Sequence, residues 1–140
     1  KNLKGGAGMA RAEKLKQLSF TMPNRVGLLS EVSTAIAGAK VNINAICAYA
    51  MEDKAYFMLS TDSNAKAKKA LGSLGVEIKE EDVIAVEMPN RVGELQKVAK
   101  KIADAGIDIN YMYGTAGAGK SSTCVFKTVD DKKALRVINK

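Results

Sequence analysis

The sequence contains no histidine. That absence removes the commonest general base, the Ser-His-Asp and Cys-His constellations and the usual zinc ligands in one step. Cysteine is scarce: Cys47 and Cys124 lie far apart with no C-x-x-C pair, so both read as small buried residues of a reducing compartment. Acidic residues cluster only at Glu80, Glu81 and Asp82, which read as a solvated connector rather than an acid-base pair. The expectation is a non-enzymatic protein with no metal and no cofactor. No apolar stretch approaches the roughly 18 residues of a membrane span, and the N-terminal KNLKGGAGMARAEKLKQ carries no apolar segment behind its basic residues. A cytoplasmic protein without a membrane partner is expected.

Charge of one sign dominates, at +7, but its location weakens a nucleic-acid reading. Lys1, Lys4, Arg11, Lys14 and Lys16 against Glu13 put +4 in the first sixteen residues, leaving +3 for the other 124. Residues 1–14 are therefore expected to be a flexible basic arm.

What the chain does contain is a repeat. MPNRVG stands at residues 22–27 and again at 88–93, and with a shift of 66 the match covers 13 of the 23 positions from Met22 to Asn44. Each copy opens on an alternating strand, Leu18, Phe20, Met22 or Ile84, Val86, Met88. A helix follows the PNRVG turn, with Leu29, Val32 and Ile36 matched by Leu95, Val98, Ile102 and Ala105 on its apolar face and Lys97, Lys100, Lys101 and Asp104 on the other. Gly106 is placed to end the second of these helices in a left-handed conformation.

Strands from about Val41 to Ala50 and Ile107 to Gly114 lead into KAYFMLST or STCVFKT. Second helices start at the N-cap residues Ser63 and Asp130. A short strand at Val76 and Ile78 completes the first copy. The second ends at Lys140 without room for its last strand, leaving a sheet edge for a neighbouring subunit, the other repeat or the N-terminal arm to cover. The fold class is α+β: two tandem ferredoxin-like βαββαβ units over residues 15–80 and 81–140, each an antiparallel sheet with helices on one face.

The segment GTAGAGKS, residues 114–121, fits the phosphate-loop pattern G-x-x-x-x-G-K-[ST]. A phosphate loop requires a helix directly after its Lys-Ser. Here STCVFKT follows, alternating as a strand does, so the segment reads as a glycine-rich hairpin with Lys120 a solvated charge.

The pairs PNRVGLLSEV with AKVNINAI, and PNRVGELQKV with AGIDINYM, resemble tandem ACT domains over about residues 16–140. The family turn usually reads N-R-P-G or D-R-P-G; Val26 and Val92 stand here for its proline. The resemblance implies a regulatory module that binds a small ligand, most often a free amino acid, at an ACT–ACT interface, transmits its presence allosterically, and forms homodimers through sheet edges. Carried onto this chain, the ligand-binding residues are Asn24, Arg25, Val26, Gly27 and Leu28 in one copy and Asn90, Arg91, Val92, Gly93 and Glu94 in the other, with Asn42 and Asp108, at the start of the second strands, completing a pocket from a facing domain.

The residues support that site independently. Glycine lets backbone amides approach a ligand, a helix N-terminus favours a carboxylate, and an asparagine oxygen can accept from an ammonium group. Asp108 in place of Asn42 predicts two non-equivalent sites. Plainer roles stand beside these: Asn24 and Asn90 as N-caps, Arg25 and Arg91 facing solvent or at a domain interface, Tyr111 and Tyr113 as packing residues. Two other functions remain open, a purely structural ACT module without ligand and an RNA-binding protein with the same element order. KAYFMLS and SSTCVFK lack the aromatic pattern of the latter, and the chain holds only seven aromatics.

Overall fold

A computed structural model describes residues 9–115 and 119–140. The elements are β1 (Arg11–Pro23), α1 (Leu28–Gly38), β2 (Ile43–Met51), β3 (Lys54–Thr61), α2 (Asn64–Gly72), β4 (Lys79–Pro89), α3 (Glu94–Asp104), β5 (Ile109–Gly114), β6 (Ser121–Thr128) and α4 (Asp131–Asn139). They form two compact units, Lys16–Glu81 in one, Asp82–Lys140 with the segment up to Leu15 in the other.

In the unit Lys16–Glu81 the strand order is β2-β3-β1, all antiparallel, with Phe20 opposite Phe57 and Leu18 opposite Leu59. Leu18, Phe20 and Met22 point to one face and bury against Val32, Ile36, Ala67 and Leu71 of the two helices. The Phe20 and Phe57 rings stack there with centroids 5.0 Å apart. Ser19 and Thr21 alternate onto the face without helices, where Tyr49 stacks on Tyr56, also at 5.0 Å.

The unit Asp82–Lys140 repeats this with order β4-β6-β5 and a core of Ile84, Val86, Met88, Val98, Ile102, Phe126, Ala134 and Ile138. Ser63 and Asp130 cap α2 and α4, each accepting from the amide three residues on.

Several expectations are corrected. Strand β1 starts at Arg11, inside the stretch expected to be arm, because Ala12 is buried in the core of the Asp82–Lys140 unit and Asn139 bonds both its amide (2.7 Å) and its carbonyl (2.9 Å). The segment from Arg11 to Leu15 thus belongs to the Asp82–Lys140 unit.

The mirror-image exchange occurs at β4. Val76 and Ile78 are not a strand; they pack on the core, and pairing begins only at Lys79. Glu80, Glu81 and Asp82 are therefore strand residues, not a connector, and Glu81 accepts from the Ser19 hydroxyl at 2.9 Å. On the first helices, Leu28 and Glu94 rather than Leu29 and Leu95 face the core, since the buried positions fall at 28, 32, 36 and 94, 98, 102. Leu29 is 56% exposed and Leu95 46%.

Candidate functional site

At the end of β1 the chain reverses through Asn24–Gly27, and at the end of β4 through Asn90–Gly93. Gly27 (φ 88°) and Gly93 (φ 86°) adopt the left-handed conformation that side chains resist, and each is the N-cap of its helix. Asn24 and Asn90 are therefore not N-caps. They stand three residues earlier, where the Asn24 amide donates to the Asp53 carbonyl and the Asn90 amide to that of Lys120, both at 2.9 Å. Turn and hairpin tip are tied together in each unit. The hairpin carbonyls were not foreseen; the antiparallel match of β1 with β3 is the signal that would have found them.

No side chain caps α1 or α3. The Leu28 and Glu94 amides reach back to Arg25 and Arg91, but those of Leu29, Ser30, Leu95 and Gln96 have no carbonyl within the helix to bond. Val26 and Val92 stand fully out of the fold, and the space beside Gly27 and Gly93 is open. An apolar side chain, a glycine and free helical amides thus meet at each turn, a setting for an anionic group beside an aliphatic one.

The flanking charges differ. Arg25 pairs with Glu31 on the exposed surface. Glu94 is only 6% exposed, and its Oε2 accepts from Arg91 at 3.1 Å and Lys97 at 3.2 Å. Burial pushes its carboxyl up, but the hydrogen bonds and charges of Lys97 and Arg91 outweigh that and hold it below the ordinary carboxylate range. Arg91 and Lys97 face solvent as the sequence places them, and both also pair with the Glu94 carboxylate. The Asn90 side chain also donates to the Gly119 carbonyl at 3.0 Å.

Asn42 and Asp108 do not join these turns within their own units. Each follows the far end of an eleven-residue helix, about 16 Å from its start. Asn42 and Asp62 clamp one another, Asn42 N to Oδ1 and Asp62 N to the Asn42 carbonyl, both at 3.1 Å; the Asp108 carbonyl accepts from Val129 N at 3.1 Å.

Other candidates resolve more simply. Residues 116–118 of GTAGAGKS lie outside the described residues, but Ser121 opens strand β6, so the helix a phosphate loop requires does not follow. Cys124 is buried, which pushes its thiol pKa up; Cys47 is half-buried rather than buried. Among the described residues no group of side chains fits a metal ion and no helix is long and apolar enough to cross a membrane. A polar cleft of about 320 Å³, lined by Ser19, Phe20, Thr21, Glu77, Lys79 and Glu81, involves none of the turn residues.

Comparisons with known proteins bear on the fold and the family. No curated protein matches the chain. A solved protein from Bacteroides thetaiotaomicron is 29% identical, with 90% of this chain and 87% of that one covered and a TM-score of 0.82. The ligand-free regulatory subunit of aspartate kinase from Thermus thermophilus superposes at TM-score 0.67 with 16% identity, covering 92% and 93% of the two chains. Its counterpart from Thermus flavus does so at 0.65 with 18% identity, covering 93% and 94%. At these identities the kinase subunits share the fold alone. The family model described as an ACT domain pair matches residues 13–140, and the chain belongs to that family of regulatory folds.

Proposed function

We propose that this protein is a non-catalytic sensor that binds a free amino acid at the N-R-V-G turn and transmits occupancy to a partner. One contrast carries the reading. Helices α2 and α4 are capped by their own side chains, Ser63 and Asp130, whereas α1 and α3, which follow the two turns, have none. A fold that caps two helices and leaves two open at exposed glycine turns keeps donors available for an external acceptor. The ligand carboxylate meets the Leu29 and Ser30 amides, its ammonium group the Asn24 side-chain oxygen, and its side chain lies beside Val26.

Asn42 and Asp108, at the far helix ends, fit as groups presented to a turn of another ACT unit. A second copy of the chain can bring them there, and ligand binding that favours one arrangement over another is then the allosteric signal.

A ligand of this size is expected to bind at micromolar to millimolar strength. Thermal-shift titration with each of the twenty amino acids tests the reading: at least one at about 10 mM should raise the melting temperature, and Asn24→Ala should weaken that effect about tenfold or more. Absence of stabilisation by all twenty would favour a structural module without ligand. The RNA reading lacks support from the core, where Phe20 and Phe57 of β1 and β3 are buried against the helices rather than offered to a base.

A further inference from the structure

The cations on the helices of the Asp82–Lys140 unit divide into those the fold uses and those it does not. Lys97 pairs with Glu94 and Lys100 with Asp104, while Lys101 donates to the Ile138 carbonyl at 3.1 Å and Lys133 to that of Ala105 at 3.0 Å. Lys132, Arg136 and Lys140 are exposed and have no partner among the described residues. They recur every fourth residue along α4, on the side away from the buried Ala134 and Ile138. One outward stripe results, with about 6 Å between steps.

The helix itself gains nothing from this stripe. Like charges four residues apart oppose each other, and Lys132 sits in the first turn, where the helix dipole disfavours a cation. Counted from the buried pair Ala67 and Leu71, which matches Ala134 and Ile138, the same places on α2 hold Ala65, Lys69 and Ser73, a single cation. The residue before each N-cap differs as well: Asp62 precedes Ser63, whereas Val129, 63% exposed, precedes Asp130.

The fold adds a fourth cation from the other end of the chain. Asn139 holds the amide and carbonyl of Ala12, 127 residues away in sequence. Lys14 stands two residues along β1, about 7 Å from Ala12 and on its face of the strand, and it too is exposed without a partner among the described residues.

We propose that the outer face of α4, with Lys14 beside it, is a docking surface for an acidic helix of another protein. The stripe repeats at the spacing of one helix face, so a helix with carboxylates every fourth residue, lying along α4, meets each cation in register. Val129 gives such a helix an apolar contact at one end of the stripe. A single-stranded nucleic acid binds through stacked bases, and the seven aromatics stand on the strands, none of them on α4 or between Arg11 and Gln17. A membrane surface takes up the apolar face of a helix, and that of α4 lies in the core. The proposal does not depend on a ligand at the two turns.

Amide NMR on the full chain tests this with a synthetic helical peptide carrying glutamate at every fourth position, added at about 1 mM in about 0.15 M salt with no free amino acid present. Saturable shifts should be confined to 131–140 and 12–15. Lys132→Glu with Arg136→Glu should weaken binding about tenfold or more, while Lys66→Glu with Lys69→Glu, the same change of net charge on α2, should alter it less than about threefold. Lys132→Glu alone should weaken binding and yet raise the melting temperature, since it turns a like pair into a Glu–Arg pair; a cation serving only the fold would lower it. Equal weakening by the α2 variant, a lower melting temperature for Lys132→Glu, or no shift along α4 would overturn the proposal. Tighter binding of an oligouridylate or of phosphatidylserine vesicles through the same residues would overturn it too, by assigning the surface to another class of partner.

Discussion

Glu94 shows how one residue changes the physics of a repeated element. Its carboxyl is held below its ordinary value in the folded chain, so it binds its proton less readily there than when unfolded. The stability it contributes is therefore present above the unfolded carboxylate value and is lost as pH falls through the folded one, below about pH 5. Urea unfolding followed across that range should show a smaller acid-side loss for Glu94→Gln than for the wild type; identical slopes would mean that the Arg91 and Lys97 contacts contribute nothing in solution. The sequence named Glu94 through its place in the turn but not its burial, because a charged letter beside Leu95 hides the 94, 98, 102 spacing. Gly106 was legible: it takes φ 72°, as a helix-ending glycine should. Its counterpart Lys40 takes φ 61° without that signal, since only the closing helix geometry demands it.

At the scale of elements, the strands β1 and β4 do more than open their repeats. Strand β1 divides after Leu15 and β4 after Glu81 between the two units, and β1 gives Ala12 to one core and Leu18, Phe20 and Met22 to the other. The alternation at Leu18–Met22 and Ile84–Met88 was readable because those strands bury one face. The segment Arg11–Leu15 was not, because its charges resemble a solvated arm and only Ala12 is fully buried. What fixes it is Asn139, at the end of α4, which bonds the amide and carbonyl of Ala12 together. Asn139→Ala should destabilise the protein by about 1 to 2 kcal/mol, since two partly buried backbone groups lose their side-chain partner. Chemical denaturation measures this, and a change within error would show that water replaces the amide without penalty.

At the scale of the whole molecule, duplication sets both the architecture and its exposed edges. Strand β2 ends one unit's order and β5 the other's, and both carry apolar residues outward, Ile46, Tyr49 and Met51 on β2 and Met112 on β5. Unpaired edges of this kind invite another strand. Light scattering coupled to gel filtration is therefore expected to give twice the chain mass at micromolar concentration, and Met51→Lys with Met112→Lys should shift it toward the single chain. A monomer that persists as concentration rises would remove the proposed route by which another copy brings Asn42 or Asp108 to a turn.

The sequence by itself determined the duplication, the order of elements apart from the strand expected at Val76 and Ile78, the glycine turns and the family resemblance, because periodicity and a repeated word are properties of the letters alone. It also showed that GTAGAGKS runs into a strand. Only the tertiary structure decided that Gly27 and Gly93 rather than Asn24 and Asn90 stand at the N-caps of α1 and α3, that the segment from Arg11 belongs with the second unit, and that Glu94 is buried between two cations. Those outcomes depend on contacts between positions remote in the chain, and burial of a charge becomes favourable only when its partners arrive with it.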